Sequence, residues 1–169
     1  MIDGQRPREC DAFDLPDVIL GRNDEELYGA LGRVACLAAV LEDQLRTLLQ
    51  ALHGVDASAY SRKPAGQLVA ALRAGAEGLS CAAAERDLLR TYLDGAAAAL
   101  VRRNDLLHSL WPAQPDGSAF RHRLDPDGIR VTVRTSVSDV REVLRSLVGL
   151  VMGWPRLYAI VGASARATR

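Results

Sequence analysis

Lysine is almost absent from this chain of 169 residues, in which Lys63 stands beside twenty arginines. Positive and negative side chains balance at 21 each, so the formal net charge is zero. No global field therefore draws nucleic acid or a membrane to the protein, and any such attraction depends on a local patch. An arginine bias together with many alanines, glycines and leucines is typical of a GC-rich coding sequence, so a single arginine is weak evidence of function.

Cysteine is also scarce. Cys10, Cys36 and Cys81 form an odd, widely spaced set without a C-x-x-C pair, which argues against a zinc site and a disulfide framework. We expect Cys36 and Cys81 to be small core residues and the thiols to be reduced, as in a cytoplasmic protein. A Walker loop, a G-x-G-x-x-G turn and an H-E-x-x-H helix are missing too, so we expect no metal and no cofactor.

Long apolar runs are missing as well. Gly153, Pro155 and Arg156 interrupt the one candidate for a membrane span, near the C-terminus. The N-terminus lacks the basic region and apolar run of a signal peptide. These features predict a soluble protein with no membrane partner. The length and a hydrophobic content of 49% suit one domain with a sizeable core.

Helical periodicity dominates what is present. Residues 1–22 show no pattern and are expected to form an N-terminal arm. Asn23 then offers an N-cap, which Glu26 completes as a capping box. Apolar residues follow at alternating intervals of four and three and indicate a helix that ends at Gly54. They are Leu27, Leu31, Val34, Ala38, Leu41, Leu45, Leu48 and Leu52. Such spacing suits an antiparallel bundle or a helical dimer interface.

Two further helices are predicted in the middle of the chain. Pro64 suits the first turn of the second helix, which loosens around Gly75 and Gly78. Ser80 can cap a third helix that runs to Trp111, where a proline stops it. The third helix carries apolar residues at helical spacing, and they are Leu89, Leu93, Ala96, Leu100, Leu107 and Trp111.

A last long helix is predicted after Ser136, which can cap it together with Ser138. Its seam consists of Val140, Leu144, Leu147 and Val151. We expect Pro155 to kink or restart this helix, and residues 163–169 to form a frayed tail. The main domain is therefore expected to span residues 23–162.

Residues 119–134 alternate with a period of two on both sides of a D-P-D-G turn, which predicts a β-hairpin. If Leu124 faces Ile129 across this turn, the apolar residues and His122 share one face, where His122 is expected to be a core residue rather than a second catalytic base. The other face then carries Arg121, Arg123, Arg130 and Arg134. Arg123 and Arg130 would lie opposite each other at some cost in stability. Two interpretations stay open: a solvated surface, or an anion-binding ribbon beside a site.

The resulting fold class is mainly α: an antiparallel helical bundle of four to five helices with one β-hairpin inserted after the third helix. The third helix also holds the most informative stretch of the chain. Arg103, Asn104 and His108 form an R-N-x-x-x-H element, which places a fixed cation, an amide and an imidazole within about two helical turns. Asn104 lies between Leu100 and Leu107 on the apolar face, where a buried amide needs a partner.

This element resembles the signature of the HEPN superfamily (higher eukaryotes and prokaryotes nucleotide-binding), which is an Arg, a polar residue, and a His four to six places after the Arg. The resemblance implies an all-helical domain and a metal-independent ribonuclease that works as a homodimer. Such proteins often act in toxin–antitoxin or defence systems, with a cognate antitoxin or another neighbouring-gene partner. Other members have lost catalysis and serve as binding modules, and the hairpin is not a defining family feature.

The implied chemistry needs no metal. His108 would move a proton at the RNA 2′-hydroxyl or the leaving 5′-oxygen, Arg103 would hold the phosphate, and Asn104 would orient the imidazole or bond a phosphate oxygen. On a regular helix Arg103 and His108 diverge by about 140°, so one cleft holds both only if it is broad or if a second protomer faces it. Candidate RNA contacts are Arg102, Arg121, Arg123, Arg130, Arg134 and Trp111.

Structural explanations stay open for each residue. His108 can serve the end of a helix, Arg102 and Arg103 can pair with acidic residues, and Trp111 can pack in the bundle. Two other functions therefore remain beside the ribonuclease. One is a non-catalytic RNA- or nucleotide-binding module that uses the arginine-rich hairpin, and the other is a helical oligomerisation or adaptor protein.

Overall fold

The structure is a computed structural model that describes residues 25–54, 60, 62–112, 119–125 and 127–167. Within these ranges the chain forms helices α1 (Glu25–His53), α2 (Ala65–Ala76) and α3 (Ala83–Leu107), then strands β1 (Phe120–Leu124) and β2 (Arg130–Arg134), and finally helix α4 (Val137–Ala167). The prediction of a mainly helical bundle with one hairpin after the third helix is confirmed.

Helix α1 buries the predicted seam. Six of its eight members are buried, and Leu31 and Leu52 are half-buried at its edges. The helix ends at His53, and Gly54 follows in the left-handed region with φ of 65°, which glycine adopts without a Cβ clash. The predicted N-cap Asn23 and the predicted arm at residues 1–22 lie outside the described residues.

The ends of α3 differ from the prediction. The N-cap position is Ala82, two residues after the predicted Ser80. The backbone N–H of Ala82 donates to the Glu85 carboxylate at 3.0 Å, so Glu85 caps the start of the helix. At the other end the backbone leaves the helix at His108, with φ of −101° and ψ of 13°. The helix therefore stops before Trp111, because Leu110 pairs instead with β1.

The helices pack around one core, in which α1 and α4 make the most extensive contact. Helix α3 runs antiparallel to α4, since Arg102 meets Glu142 at one end and Ser80 meets Ser164 at the other. Helices α1 and α4 run in the same direction, since Glu26 meets Arg141 and Gln44 bonds Val151 further along. The C-terminal end of α3 lies against both α1 and α4, because Arg103 pairs with Glu42 of α1 and Arg102 pairs with Glu142 of α4.

Helix α4 begins at a reciprocal cap. The Asp139 carboxylate accepts from the Ser136 N–H and hydroxyl, each at 2.7 Å, and the Asp139 N–H donates back to the Ser136 hydroxyl at 3.2 Å. These hydrogen bonds from Ser136 hold the pKa of the Asp139 carboxyl below its ordinary value. The predicted cap at Ser136 is therefore confirmed.

Pro155 was expected to kink or restart the last helix, and the helix does not restart there, because α4 runs through Pro155 to Ala167. It also runs past the predicted boundary at 162, and Ser164 is buried there, donating to the Ser80 carbonyl at 3.1 Å. By length and composition α4 is the one described helix that could cross a membrane. The core helix of a bundle has the same length and composition, and Val140, Leu147 and Leu157 of α4 are buried against the other helices.

The register of the hairpin differs by one residue from the prediction. Leu124 pairs with Arg130 rather than with Ile129. The turn takes one residue more because the Asp125 carboxylate accepts the N–H groups of Asp127 and Ile129, at 3.0 and 2.8 Å, while Gly128 adopts φ of 78°. Leu124 and Ile129 are consequently exposed, and the predicted apolar face does not form.

The register change divides the arginines between two faces, because residues paired across strands share a face. Arg121 and Arg123 lie opposite Val133 and Val131, whereas Arg130 and Arg134 lie opposite Leu124 and Phe120. The predicted single face of four arginines, with Arg123 opposite Arg130, is therefore wrong.

Cys36 is exposed, and its prediction as a core residue is wrong. It follows the buried Val34 by two positions, which turns it about 200° around the helix, away from the seam. Cys81 is half-buried and packs against the core. Cys10 lies outside the described residues.

Candidate active site at the end of helix α3

The last turn of α3 brings His108 to the surface. Its backbone N–H caps the helix by donating to the Asn104 carbonyl at 3.0 Å, and its side chain is exposed. Among the residues that the structure describes, no group forms a hydrogen bond with its imidazole. The ring is therefore accessible to a ligand.

Asn104 is exposed, so its predicted place on the buried face is wrong. The buried residue near the end of the helix is Leu106, and Leu107 is half-buried, so the buried stripe passes beside position 104. The Asn104 side-chain oxygen accepts from Arg103 Nη1 at 2.7 Å. The Asn104 amide therefore stays hydrated without a desolvation penalty, and the bond from Arg103 orients its side-chain oxygen.

Arg103 is held by α1. Its Nη2 donates to the Glu42 carboxylate in an ion pair whose side chains are only 19% and 18% exposed. Glu42 also pairs with Arg46 at 3.5 Å. Two guanidinium groups thus share one carboxylate, which leaves this cluster with a net charge of +1.

Arg103 and His108 line different cavities within one chain. The His108 cavity has a volume of about 530 Å³ and its lining includes Asn104, Asp105, His108, Ser109, Leu110, His122, Arg123, Leu124 and Arg130. The Arg103 cavity, of about 440 Å³, lies between α1, α2 and α3 and also contacts Asn104. Asn104 therefore stands between the two, as the divergence of about 140° between Arg103 and His108 predicts.

The hairpin is fastened to the end of α3 through Asp105. Arg123 Nη1 donates to its carboxylate in an ion pair, and Arg121 Nη1 donates to its backbone carbonyl at 3.0 Å. Leu110 and His122 also exchange two backbone hydrogen bonds of 2.8 Å. These contacts hold β1 against the end of α3, where His122, Arg123 and Leu124 line the His108 cavity.

The position of His122 differs from the prediction. It is half-buried rather than in the core, and it lines the same cavity as His108. Its Nδ1 lies 2.7 Å from the Thr132 hydroxyl on β2. The available signal was its place between two arginines in an alternating strand, but the one-residue error in register assigned it to an apolar face.

The arginines predicted to contact RNA fall into two groups. Arg123 and Arg130 line the His108 cavity, and Arg130 forms no ion pair within the described part of the chain. Arg102, Arg121 and Arg134 line a smaller cavity of about 230 Å³ between the hairpin and α4. Arg102 also pairs with Glu142 at 3.4 Å, with both side chains about half exposed.

Trp111 packs against the core, and its indole N–H donates to the Leu106 carbonyl at 2.9 Å. This contact supports the structural interpretation of Trp111 over base stacking. Within the described ranges, no group of three or more His, Cys, Asp or Glu side chains is placed to hold a metal ion.

Comparisons of the chain with protein-family models, with curated proteins and with solved structures found no match. The chemistry of the site is therefore argued from its own residues.

Proposed function

We propose that this protein is a metal-independent endoribonuclease of HEPN type that acts as a cytoplasmic homodimer. The observation that carries the proposal is the exposed imidazole of His108 in a cavity with Asn104, Arg123 and Arg130. A proton-transferring group beside guanidinium groups is the equipment that cleavage of a phosphodiester next to a 2′-hydroxyl requires.

The charges around the cavity suit a phosphate. Arg123 and Arg130 supply two positive charges and Asp105 one negative charge, so its lining carries a net charge of +1 before His108 or His122 is protonated. Arg130 has no carboxylate partner in the described structure and can therefore donate both arms to one phosphate. The cavity volume of about 530 Å³ falls in the range of small-ligand sites.

In this proposal Arg103 reaches the His108 cavity only across a homodimer interface. Within one chain Arg103 is bound to Glu42 and lines a different cavity from His108. In a two-fold dimer, Arg103 of the partner subunit would complete the His108 cavity.

Cleavage in the presence of EDTA tests the activity. We expect purified protein to cut a mixed RNA pool, leave DNA intact, and produce ends with a 2′,3′-cyclic phosphate. His108→Ala should abolish cutting. His53→Ala is the matched control, because His53 also lies exposed at the end of a helix but on α1. Equal cutting by the wild type and His108→Ala, or cutting by neither, would refute the enzyme.

Mixing Arg103→Ala with His108→Ala, each of which we expect to be inactive alone, tests the dimer. If Arg103 acts across the interface, a mixture of Arg103→Ala and His108→Ala protomers contains mixed dimers with one intact site. Activity should then return to about a quarter of the wild-type level, because half of the dimers are mixed and each has one of two sites intact. Continued inactivity in mixed dimers would assign both residues to one chain.

A non-catalytic RNA-binding module is the second candidate, favoured by the cluster of Arg102, Arg121 and Arg134 where the hairpin meets α3 and α4. It predicts RNA affinity that falls with salt and survives His108→Ala. A toxin or defence role, with an antitoxin encoded nearby, is the setting that the HEPN resemblance implies. Co-purification with the product of an adjacent gene would test it.

A further inference from the structure

We infer that His122 is a second proton-transferring residue, paired with His108 in the same cavity. This inference rests on the proposed ribonuclease function and adds to it a residue outside the R-N-x-x-x-H element. One imidazole would serve as the base and the other as the acid in a single cleavage step.

The backbone of His122 is fixed on both sides. On one side it pairs with Thr132 of β2, and on the other it exchanges two hydrogen bonds of 2.8 Å with Leu110. Leu110 lies two residues after His108, so the same short segment positions both histidines. A histidine in the middle of such a ladder is held more firmly than one on a free loop.

The ring of His122 is oriented as well. Its Nδ1 is 2.7 Å from the Thr132 hydroxyl, which can donate to a neutral ring or accept from a protonated one. The contact therefore fits both protonation states and leaves Nε2 as the nitrogen for a ligand. An imidazole held at one nitrogen with the other available is the usual arrangement of a catalytic histidine.

The charged groups around the pair come from three elements. Asp105 comes from α3, Arg123 from β1 and Arg130 from β2, and all of them line the cavity with the two histidines. Asp105 is already paired with Arg123. Arg130, which forms no ion pair among the described residues, is thus the lining cation that remains for a phosphate that lies between the rings.

The reaction balances with two imidazoles and no other reagent. The neutral ring takes the proton from the 2′-hydroxyl, and O2′ forms a bond to phosphorus as the bond from phosphorus to O5′ breaks. The protonated ring gives its proton to O5′. The products are a 2′,3′-cyclic phosphate and a 5′-hydroxyl, and the two rings have exchanged protonation states, which solvent restores.

The test measures the pH dependence of RNA cleavage in EDTA. The wild type should show a bell-shaped profile, because it needs one neutral and one protonated ring. His122→Ala should lower the rate by about 10²–10⁴-fold and remove one limb of the bell. His122→Gln keeps a polar side chain in the strand and should show the same loss. It replaces the alanine variant in this test if the alanine variant fails to fold.

A substrate with sulfur in place of O5′ separates catalysis from structure, because a thiolate leaves without being protonated. The variant that lacks the acid should recover on this substrate, whereas the variant that lacks the base should not. Recovery of neither His108→Ala nor His122→Ala would overturn the pairing. Full activity of His122→Ala on ordinary RNA would overturn it too and would leave the ribonuclease proposal intact. If the wild type does not cleave RNA, the pairing of the two histidines and the ribonuclease proposal are both refuted.

Discussion

The ion pair between Asp105 and Arg123 should be measurably coupled in solution, because it fastens the hairpin to α3. A two-stranded hairpin alone is at best marginally stable in water, so its position depends on what it touches. Here the described contacts with the end of α3 are this ion pair, the Arg121 bond to the Asp105 carbonyl, and the Leu110–His122 bridge. Asp105→Ala removes the first and leaves the other two.

The expected coupling energy of the Asp105–Arg123 pair follows from the exposure of its two side chains. The side chains of Arg123 and Asp105 are 39% and 25% exposed, so water screens the pair only in part. Exposed pairs contribute about 0.2–1 kcal/mol, and hydrogen bonds to charged groups about 1.5–3 kcal/mol. A pair between these limits should have a coupling energy of about 1 kcal/mol. The amide N–H of His122 should then exchange with solvent about fivefold faster in Asp105→Ala.

Urea unfolding of the wild type, Asp105→Ala, Arg123→Ala and the double variant gives the coupling energy directly. The matched control is the Asp87–Arg90 pair on the same helix, which is 3.4 Å long and has side chains 69% and 67% exposed. Its coupling should be only about 0.3 kcal/mol. If both cycles give the same value, the Asp105 carboxylate does not fasten the hairpin, whose position then depends on the Arg121 bond to the Asp105 carbonyl and on the Leu110–His122 bridge.

Two further predictions concern the stability of the bundle. Leu147 is fully buried, so Leu147→Ala should lower the free energy of unfolding by about 3–5 kcal/mol. The side chain of Met152 is 74% exposed, so Met152→Ala should change the free energy of unfolding by less than about 0.5 kcal/mol. Urea unfolding measures both values. Asp139→Ala removes the cap of α4 and should cost about 0.5–1 kcal/mol at neutral pH, toward the low end because Asp139 is exposed. Since folding lowers the pKa of Asp139, the charged carboxylate stabilises the fold above its ordinary value of 3.8, and this contribution disappears as the pH falls through the lower folded pKa. Unfolding of the wild type and variant should therefore converge in acid, and an equal deficit at all pH values would contradict the assignment.

The helices were predictable because the apolar period of a helix follows from its geometry. The seam of α1 and the residues Val140 and Leu147 of α4 are buried as expected. The ends were predicted less well. Glu85 supplies the cap that Ser80 was expected to supply, and Pro155 lies within a helix long enough to tolerate the loss of one hydrogen bond. Neither outcome follows from the apolar period, which predicts the buried face of a helix but not where it begins and ends.

The candidate site was predictable only in its local part. The sequence predicts that His108 lies near the end of the third helix, whereas the neighbours of His108 depend on tertiary packing. The register of the hairpin was decided by the hydrogen bonds of Asp125 and the conformation of Gly128, and a change of one residue moved Arg130 and Arg134 to the opposite face from Arg121 and Arg123. The partner of Arg103 is Glu42, 61 positions away, and no local pattern predicts such a pair.

The three motif residues differ in how fully packing explains them. Arg103 has a structural partner in Glu42, and Asn104 has one in Arg103, so an adaptor protein could retain both for stability. His108 caps α3 only through its backbone N–H, which any residue but proline supplies. Its side chain can add a favourable interaction with the helix dipole, but a lysine or arginine would do that at any pH. A group that can both take and give a proton is what histidine adds at this position. His108 is therefore the residue that separates an enzyme from a scaffold.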